Sequence, residues 1–353
     1  MKIKTYILTS AFVLSSLMLF SNCSHSSTSG TVAAAKKDSA TASTAAAPTD
    51  TIAAPVVYPP LNKKLYDSLM KKLAHGDTTG RWPVKNAPYP VPGAILPFKR
   101  VVAYYGNLYS KKMGILGELP PNEMLSRLHQ AVKEWEKADP STPVQPALHY
   151  IAVVASGDPG KDKKYRHRMP FKQIDTILYL AKKAHAIVFL DIQVSLSNIR
   201  AELPLLEKYI EMPQVHIGID PEFSMKDGTL PGKKIGTFDA ADINYVSDYL
   251  AKVVDKYHLP AKIFIVHRFT KKMVTNYKQI KLHKEIQFVM NMDGWGEPDL
   301  KTGTYRNFIY PEPVQFTGFK LFYKNDLKKA PHHMLTPTEV LKYKPYPIYI
   351  QYQ

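Results

Sequence analysis

From about residue 98 the chain carries eight short apolar runs, most of them separated by stretches of helical periodicity. The runs cover residues 101–105, 149–155, 187–192, 215–219, 263–266, 288–292, 319–323 and 348–352. Strands that alternate with helices pair in parallel, because each crossover returns the chain to the same end of the sheet. Eight such units fit a (β/α)₈ barrel, a fold of roughly 250 residues. A doubly wound sheet is the alternative. It usually opens with a glycine-rich phosphate turn after its first strand, and here that strand ends in Tyr104-Tyr105-Gly106-Asn107.

The segments between the runs support the helical half of the pattern. Residues 122–137 place Met124, Leu125, Leu128, Val132 and Trp135 on one side. Residues 171–185 repeat the period with Ile174, Ile177, Leu178 and Ala181, and residues 242–257 with Ile243, Val246, Leu250 and Val253. A last helix is expected over 336–342, with Thr336 as cap and Pro337 at its first position. The Pro-rich stretch 61–97 holds one helical pattern, at 63–73, and is expected to wrap the barrel.

In this fold the active site forms at the C-terminal ends of the strands. The residues standing there are Tyr105 and Asn107, Asp158, Asp191 and Gln193, Asp220 and Glu222, His267, Asn291, Asp293 and Trp295, Lys320 and Tyr323, and Gln351. Alternation turns His216, Gly218, Asp220 and Glu222 to one face of their strand and Val215, Ile217 and Ile219 to the other. One polar residue after an apolar strand means only that the chain has met water. A polar or ionisable residue at nearly every strand end predicts a cleft, since carboxylates crowded together must be paired, protonated or bound to a cation. Glu222, Asp220, Asp293 and Asp191 are the candidate catalytic residues. Tyr105, Asn107, Asp158, Gln193, His267, Asn291, Trp295, Lys320, Tyr323 and Gln351 are the candidate substrate contacts. His267 reads equally as a structural histidine. Trp295 is either a stacking platform for a sugar or a packed loop residue.

Three chemistries match this inventory. Crowded carboxyls supply the acid and base of glycoside hydrolysis. Asp, Glu and His also suit metal-assisted hydrolysis of phosphoesters. With His267 as the one nitrogen ligand in view, the candidate cofactor is an oxygen-ligated Ca²⁺ or Mg²⁺. The third reading is a non-catalytic module that binds a glycan or lipid headgroup. Serine or cysteine nucleophilic catalysis has no motif to support it.

Two resemblances bear on the choice. Asp220-Pro221-Glu222 resembles the end of the D-x-D-x-E strand of chitinase-type glycoside hydrolases, and Asn291-Met292-Asp293 is similar to that family's Met-x-Tyr-Asp segment. The resemblance implies Glu222 as acid, assisted by Asp220 and Asp293. Gly218 stands where the family has its inner Asp, Pro221 separates the two carboxyls, and Leu190-Asp191-Ile192-Gln193 replaces the family's Ser-x-Gly-Gly strand. The barrel region also resembles a group of uncharacterised bacterial lipoproteins. The shared residues are Tyr104-Tyr105-Gly106, residues 113–118, residues 218–222, Met292-Asp293-Gly294 and residues 318–323. That resemblance implies a barrel and export, and it brings no activity.

The N-terminus carries an address. Lys2 and Lys4 precede an apolar run over 6–20, as in a secretory signal. The run ends in Phe20-Ser21-Asn22-Cys23, which resembles the lipobox of bacterial lipoproteins. Residues 1–22 are then a signal peptide, and Cys23, the single cysteine of the chain, is the lipidation site. Residues 23–60, rich in Ser, Thr, Ala and Pro, are expected to act as a flexible tether, and the barrel spans 98–353. The expected location is the cell envelope, on the periplasmic side or at the outer membrane. With 47 Lys+Arg against 30 Asp+Glu the chain carries a formal charge of +17. The densest basic patch, 161–168, is expected to be a solvated surface. Anionic lipid headgroups or acidic glycans are the sharper alternative. No nucleic-acid-binding motif is present, so nucleic acid is not an expected partner.

Overall fold

The computed structural model describes residues 58–353; the signal peptide, Cys23 and most of the expected tether lie outside the described residues. All eight expected strands form. They are β1 (Arg100–Gly106), β2 (Val144–Ala155), β3 (Ile187–Ile192), β4 (Val215–Ile219), β5 (Lys262–Arg268), β6 (Ile286–Met292), β7 (Phe316–Leu321) and β8 (Tyr349–Tyr352). Each pairs in parallel with the next, and β8 pairs back with β1. The sheet therefore closes, and the fold is a (β/α)₈ barrel.

The helices fall where the apolar period put them. After α1 (Lys63–Leu73) come α2 (Pro121–Ala138), α3 (Phe171–Lys183) and α4 (Ala240–Tyr257). Pro121 and Phe171 follow prolines whose fixed φ suits a helix entry, and α4 opens with a capping box between Asp239 and Asp242. Each helix buries its apolar stripe against the outward strand faces: Met124, Leu128 and Trp135, then Ile174 and Ile177, then Ile243, Val246 and Leu250. Burying one such side chain contributes roughly 1.5–3 kcal/mol.

The later connections are thinner. Single turns and the short strand Val274–Thr275, which pairs with Phe238–Asp239, join β5 to β6. Between β6 and β7 stands α5 (Pro298–Thr304), which runs into a wide π turn and was not legible in the sequence. The expected helix over 336–342 contracts to α6 (Pro337–Val340) under the Thr336–Glu339 capping box.

The barrel interior is layered. Val101, Ala103, Ala147, Phe189, Ile263, Ile265 and Val289 fill its lower part and pack against Tyr66, Met70, Leu73 and Leu96 of the pre-barrel segment. Above them the inward side chains become polar. No helix among the described residues is long and apolar enough to cross a membrane.

The basic patch differs from its expected form. Arg166 is buried, and its Nε donates to Glu202 Oε1 at 2.8 Å; Arg168 Nε donates to Glu202 Oε2 at 2.7 Å. Two cations of the run are thus committed to one fully buried carboxylate, which ties the loop after β2 to the loop after β3. A buried charge is tolerated only when so paired.

Candidate active site

Strand parity carries a ring of polar side chains to the upper end of the barrel. Asp191 on β3 is in register with Gly218 on β4, and Asn291 on β6 with Gly318 on β7. The glycines make room for these neighbours: a Cβ at Gly218 would lie 2.4 Å from Asp191 Oδ1, and one at Gly318 would lie 2.5 Å from Asn291 Oδ1. Polar groups here replace the branched apolar residues that usually fill a barrel.

The carboxylates are held from several sides. Asp191 Oδ2 accepts from the Tyr105 hydroxyl at 2.9 Å, and Asp191 Oδ1 faces His149 Nε2 at 3.4 Å and His267 Nε2 at 3.5 Å. His267 Nδ1 lies 2.9 Å from Asp293 Oδ2, and Asp293 Oδ1 meets the Lys320 ammonium at 2.8 Å. That ammonium sits 3.9 Å above the Tyr105 ring, a cation–π contact in a desolvated place. Gln193 reaches both the Tyr105 hydroxyl and Asp220 Oδ2 at 3.4 Å. Gln351 Nε2 donates to the Tyr349 hydroxyl at 2.8 Å. Asp220 Oδ1 accepts the Glu222 N–H at 3.1 Å, which caps the single turn Pro221–Phe223 and sets Glu222, half-buried, at the rim.

Electrostatics divides the acids into two kinds. Burial opposes ionisation of Asp191, but the imidazoles of His267 and His149 outweigh it and hold its carboxyl well below the usual range. Burial likewise opposes Asp293, and Lys320 and His267 bring it below its ordinary value. Asp220 goes the other way: burial, with Asp293 and Asp191 beside it, pushes it up to about 7 against the pull of His267 and Lys320. Burial, Asp220 and Asp293 push Glu222 up to about 8. Burial opposes protonation of His267, yet Asp191 and Asp293 raise it to about 10. Burial lowers His149 to about 4. Two carboxyls held below the usual range thus stand beside two pushed up to about 7 and about 8, the kind of separation that acid–base catalysis uses.

Of the sequence candidates, the structure brings together Tyr105, Asp191, Gln193, Asp220, Glu222, His267, Asn291, Asp293, Lys320 and Gln351. Four stand elsewhere. Asp158 is exposed and caps its own loop, its Oδ1 accepting from the Gly160 N–H at 2.7 Å. The cause is the length of β2, which runs past the barrel rim to pair with the short strand Arg166–Arg168. Asn107 is buried, but its amide donates to the Ile151 carbonyl at 3.0 Å and its Oδ1 accepts from Tyr109, so it shapes a loop. Tyr323 lies outside the barrel, stacked on Tyr352 with its hydroxyl 2.9 Å from that of Tyr104. Its odd number beside Lys320 already places it on the opposite face. Trp295 is 39% exposed on the loop after β6, with Lys328 and Lys329 over its ring.

Two inward histidines were not among the sequence candidates for the site. His216 lies below the ring, its Nδ1 accepting the Ile263 N–H at 3.0 Å. His149, which opened an apolar run in the sequence, stands at the centre of the ring. The expected oxygen-rich Ca²⁺ or Mg²⁺ set counted His267 as its one nitrogen ligand, whereas Asp191 has imidazole nitrogens on two sides.

No family model and no curated protein matches the chain. Among solved structures it is similar to a cellulase titled Cel5C_n, at 11% identity and a TM-score of 0.37, over 63% of this chain. The match spans 65% of that cellulase's length. It is also similar to a mutant form of Thermotoga maritima Cel5A in complex with cellobiose, at 12% identity and a TM-score of 0.39, over 72% of this chain and 88% of that one.

Proposed function

We propose that the protein is an exported, lipid-anchored hydrolase that cleaves glycan-like substrates by carboxylate acid–base chemistry at the upper end of the barrel. The observation that carries the reading is the gathering of Asp191, Asp220, Asp293 and, at the rim, Glu222 at one end of the barrel, with two held below and two pushed above the usual carboxylate range. Glu222, at the rim and raised to about 8, is the group able to give a proton to a leaving oxygen at neutral pH. Asp293, kept ionised beside Lys320 and His267, is the matching carboxylate for activating water or stabilising positive charge. Asp220, which caps the Glu222 turn, positions the acid and raises its proton affinity.

The test is hydrolysis of a panel of chromogenic glycosides and envelope polysaccharides by the wild-type chain and by Glu222→Gln. The reading expects a loss of about 10²–10⁴-fold in kcat, the usual worth of a positioned acid. A wild-type chain that cleaves no member of the panel, or a Glu222→Gln chain that cleaves as fast, overturns it. Anchoring is tested apart: wild-type chain expressed with its leader should enter the detergent phase, and Cys23→Ala should stay in the aqueous phase. Equal partitioning of the two would refute the anchor.

A further inference from the structure

Three atoms at the centre of the polar ring make no hydrogen bond: His149 Nε2, His267 Nε2 and Asp191 Oδ1. All three residues are completely buried. They meet one another only as long ion pairs, in a buried place where well-formed hydrogen bonds are the rule. Both imidazole nitrogens point at the same carboxylate oxygen, from 3.4 Å and 3.5 Å, and the three atoms lie within 4.8 Å of one another. Ligand atoms bonded at ~2.0–2.2 Å to one tetrahedral ion stand roughly 3.3–3.6 Å apart. The two nitrogen-to-oxygen spacings are therefore those of ligands around an ion and longer than those of hydrogen-bonded partners.

The far side of each residue is held as an ion site needs. His149 Nδ1 lies 2.6 Å from the Tyr349 hydroxyl, His267 Nδ1 lies 2.9 Å from Asp293 Oδ2, and Asp191 Oδ2 accepts from Tyr105 at 2.9 Å. Such outer contacts fix the aim of metal-ligating side chains, and an ion bound here would displace the proton that Asp191 and Asp293 favour on His267. Gly218 keeps this side of the cluster free of a side chain: a Cβ there would fall 2.4 Å from Asp191 Oδ1 and 2.6 Å from His149 Nε2.

The geometry points to a divalent transition-metal site formed by His149, Asp191 and His267 in the barrel mouth. Two imidazoles and one carboxylate favour an ion such as Zn²⁺ over Mg²⁺ or Ca²⁺, which prefer all-oxygen sets. Three protein ligands leave a position open for water or substrate. This inference goes beyond the acid–base reading and stands whether or not Glu222 is the acid.

The test is metal binding by the full chain, stripped with a chelator and titrated with Zn²⁺ and with Co²⁺ at neutral pH. The expected result is one ion per chain, with a Co²⁺ visible absorption band typical of low-coordinate nitrogen and oxygen ligation. Asp191→Asn, which keeps the side-chain shape, should weaken binding by about 100-fold or more, beyond the ~10–100-fold typical of outer-contact losses. Glu222→Gln should bind as wild type does. A folded wild-type chain, verified by circular dichroism, that binds neither ion overturns the site. So does undiminished binding by both Asp191→Asn and His149→Gln, which would place the ion elsewhere. Hydrolysis without metal binding would refute this site and leave the proposed function standing; metal binding without hydrolysis would do the reverse.

Discussion

Gly218→Ala tests whether the centre of the barrel is as closely packed as described. The added methyl would fall 2.4 Å from Asp191 Oδ1, 2.6 Å from His149 Nε2 and 2.8 Å from His149 Cε1. Neither neighbour is free to retreat. Asp191 is tied to Tyr105, and His149 Nδ1 to the Tyr349 hydroxyl, with Gln351 at 3.1 Å. Overpacking of this kind costs about 1–3 kcal/mol. With an unfolding entropy of ~2.1 cal/mol/K per residue over roughly 300 ordered residues, that lowers the melting temperature by about 2–5 °C. Differential scanning calorimetry would measure it. Gly303→Ala is the control. Gly303 lies in α5, where a Cβ meets nothing within 4 Å, so the change should raise stability by about 0.5–1 kcal/mol. If Gly218→Ala melts with the wild type while Gly303→Ala behaves as stated, His149 and Asp191 are not packed as described, and the argument from their geometry fails.

Other perturbations probe different parts of the molecule. Glu202→Ala leaves Arg166 with Asp162 as its remaining carboxylate and removes the hydrogen bond from its Nε, so urea unfolding should show a loss of about 1.5–3 kcal/mol. Asp220 binds a proton in the folded chain at pH values where the unfolded chain has lost it, so its contribution is fully present below about pH 4 and is lost as pH rises towards 7. Asp220→Asn should therefore flatten the decline in melting temperature between pH 4 and 7; an unchanged slope would contradict the raised pKa. Hydrolysis should decline above about pH 8 as Glu222 loses its proton, and Lys320→Met, by removing a cation that lowers Glu222, should move that limb to higher pH. A limb that stays in place would dissociate Lys320 from the acid.

How much could be read from the chain beforehand follows from what period and parity encode. The barrel was legible because each buried strand is a short apolar run and each helix keeps its apolar period, so all eight strands and α1 to α4 could be placed. Parity also separated Asp191, Asp220 and Asp293 from their outward neighbours. Where the reasoning failed, it used position after a strand in place of parity or register. Tyr323 and Asp158 follow apolar runs, but one has the wrong parity and the other lies beyond a strand that overshoots the rim. His149 is the opposite case: β2 begins at Val144 and carries it in mid-strand, away from the strand ends where a barrel site is expected. Its alternation with Leu148 and Tyr150, both packed outward, was the available signal. The close approach of Asp191 and His149 to Gly218 depends on the register of β3 with β4, which a single sequence does not disclose.

The central claim is that a protonated Glu222 above ionised Asp293 performs hydrolysis. Its most direct test is the pH profile of kcat/KM for the best cleaved glycoside, measured for wild type and for Glu222→Gln. The account predicts a wild-type profile whose alkaline limb lies near pH 8, and a Glu222→Gln profile lowered by about 10²–10⁴-fold with that limb abolished. A Glu222→Gln chain that retains both the rate and the limb would contradict it.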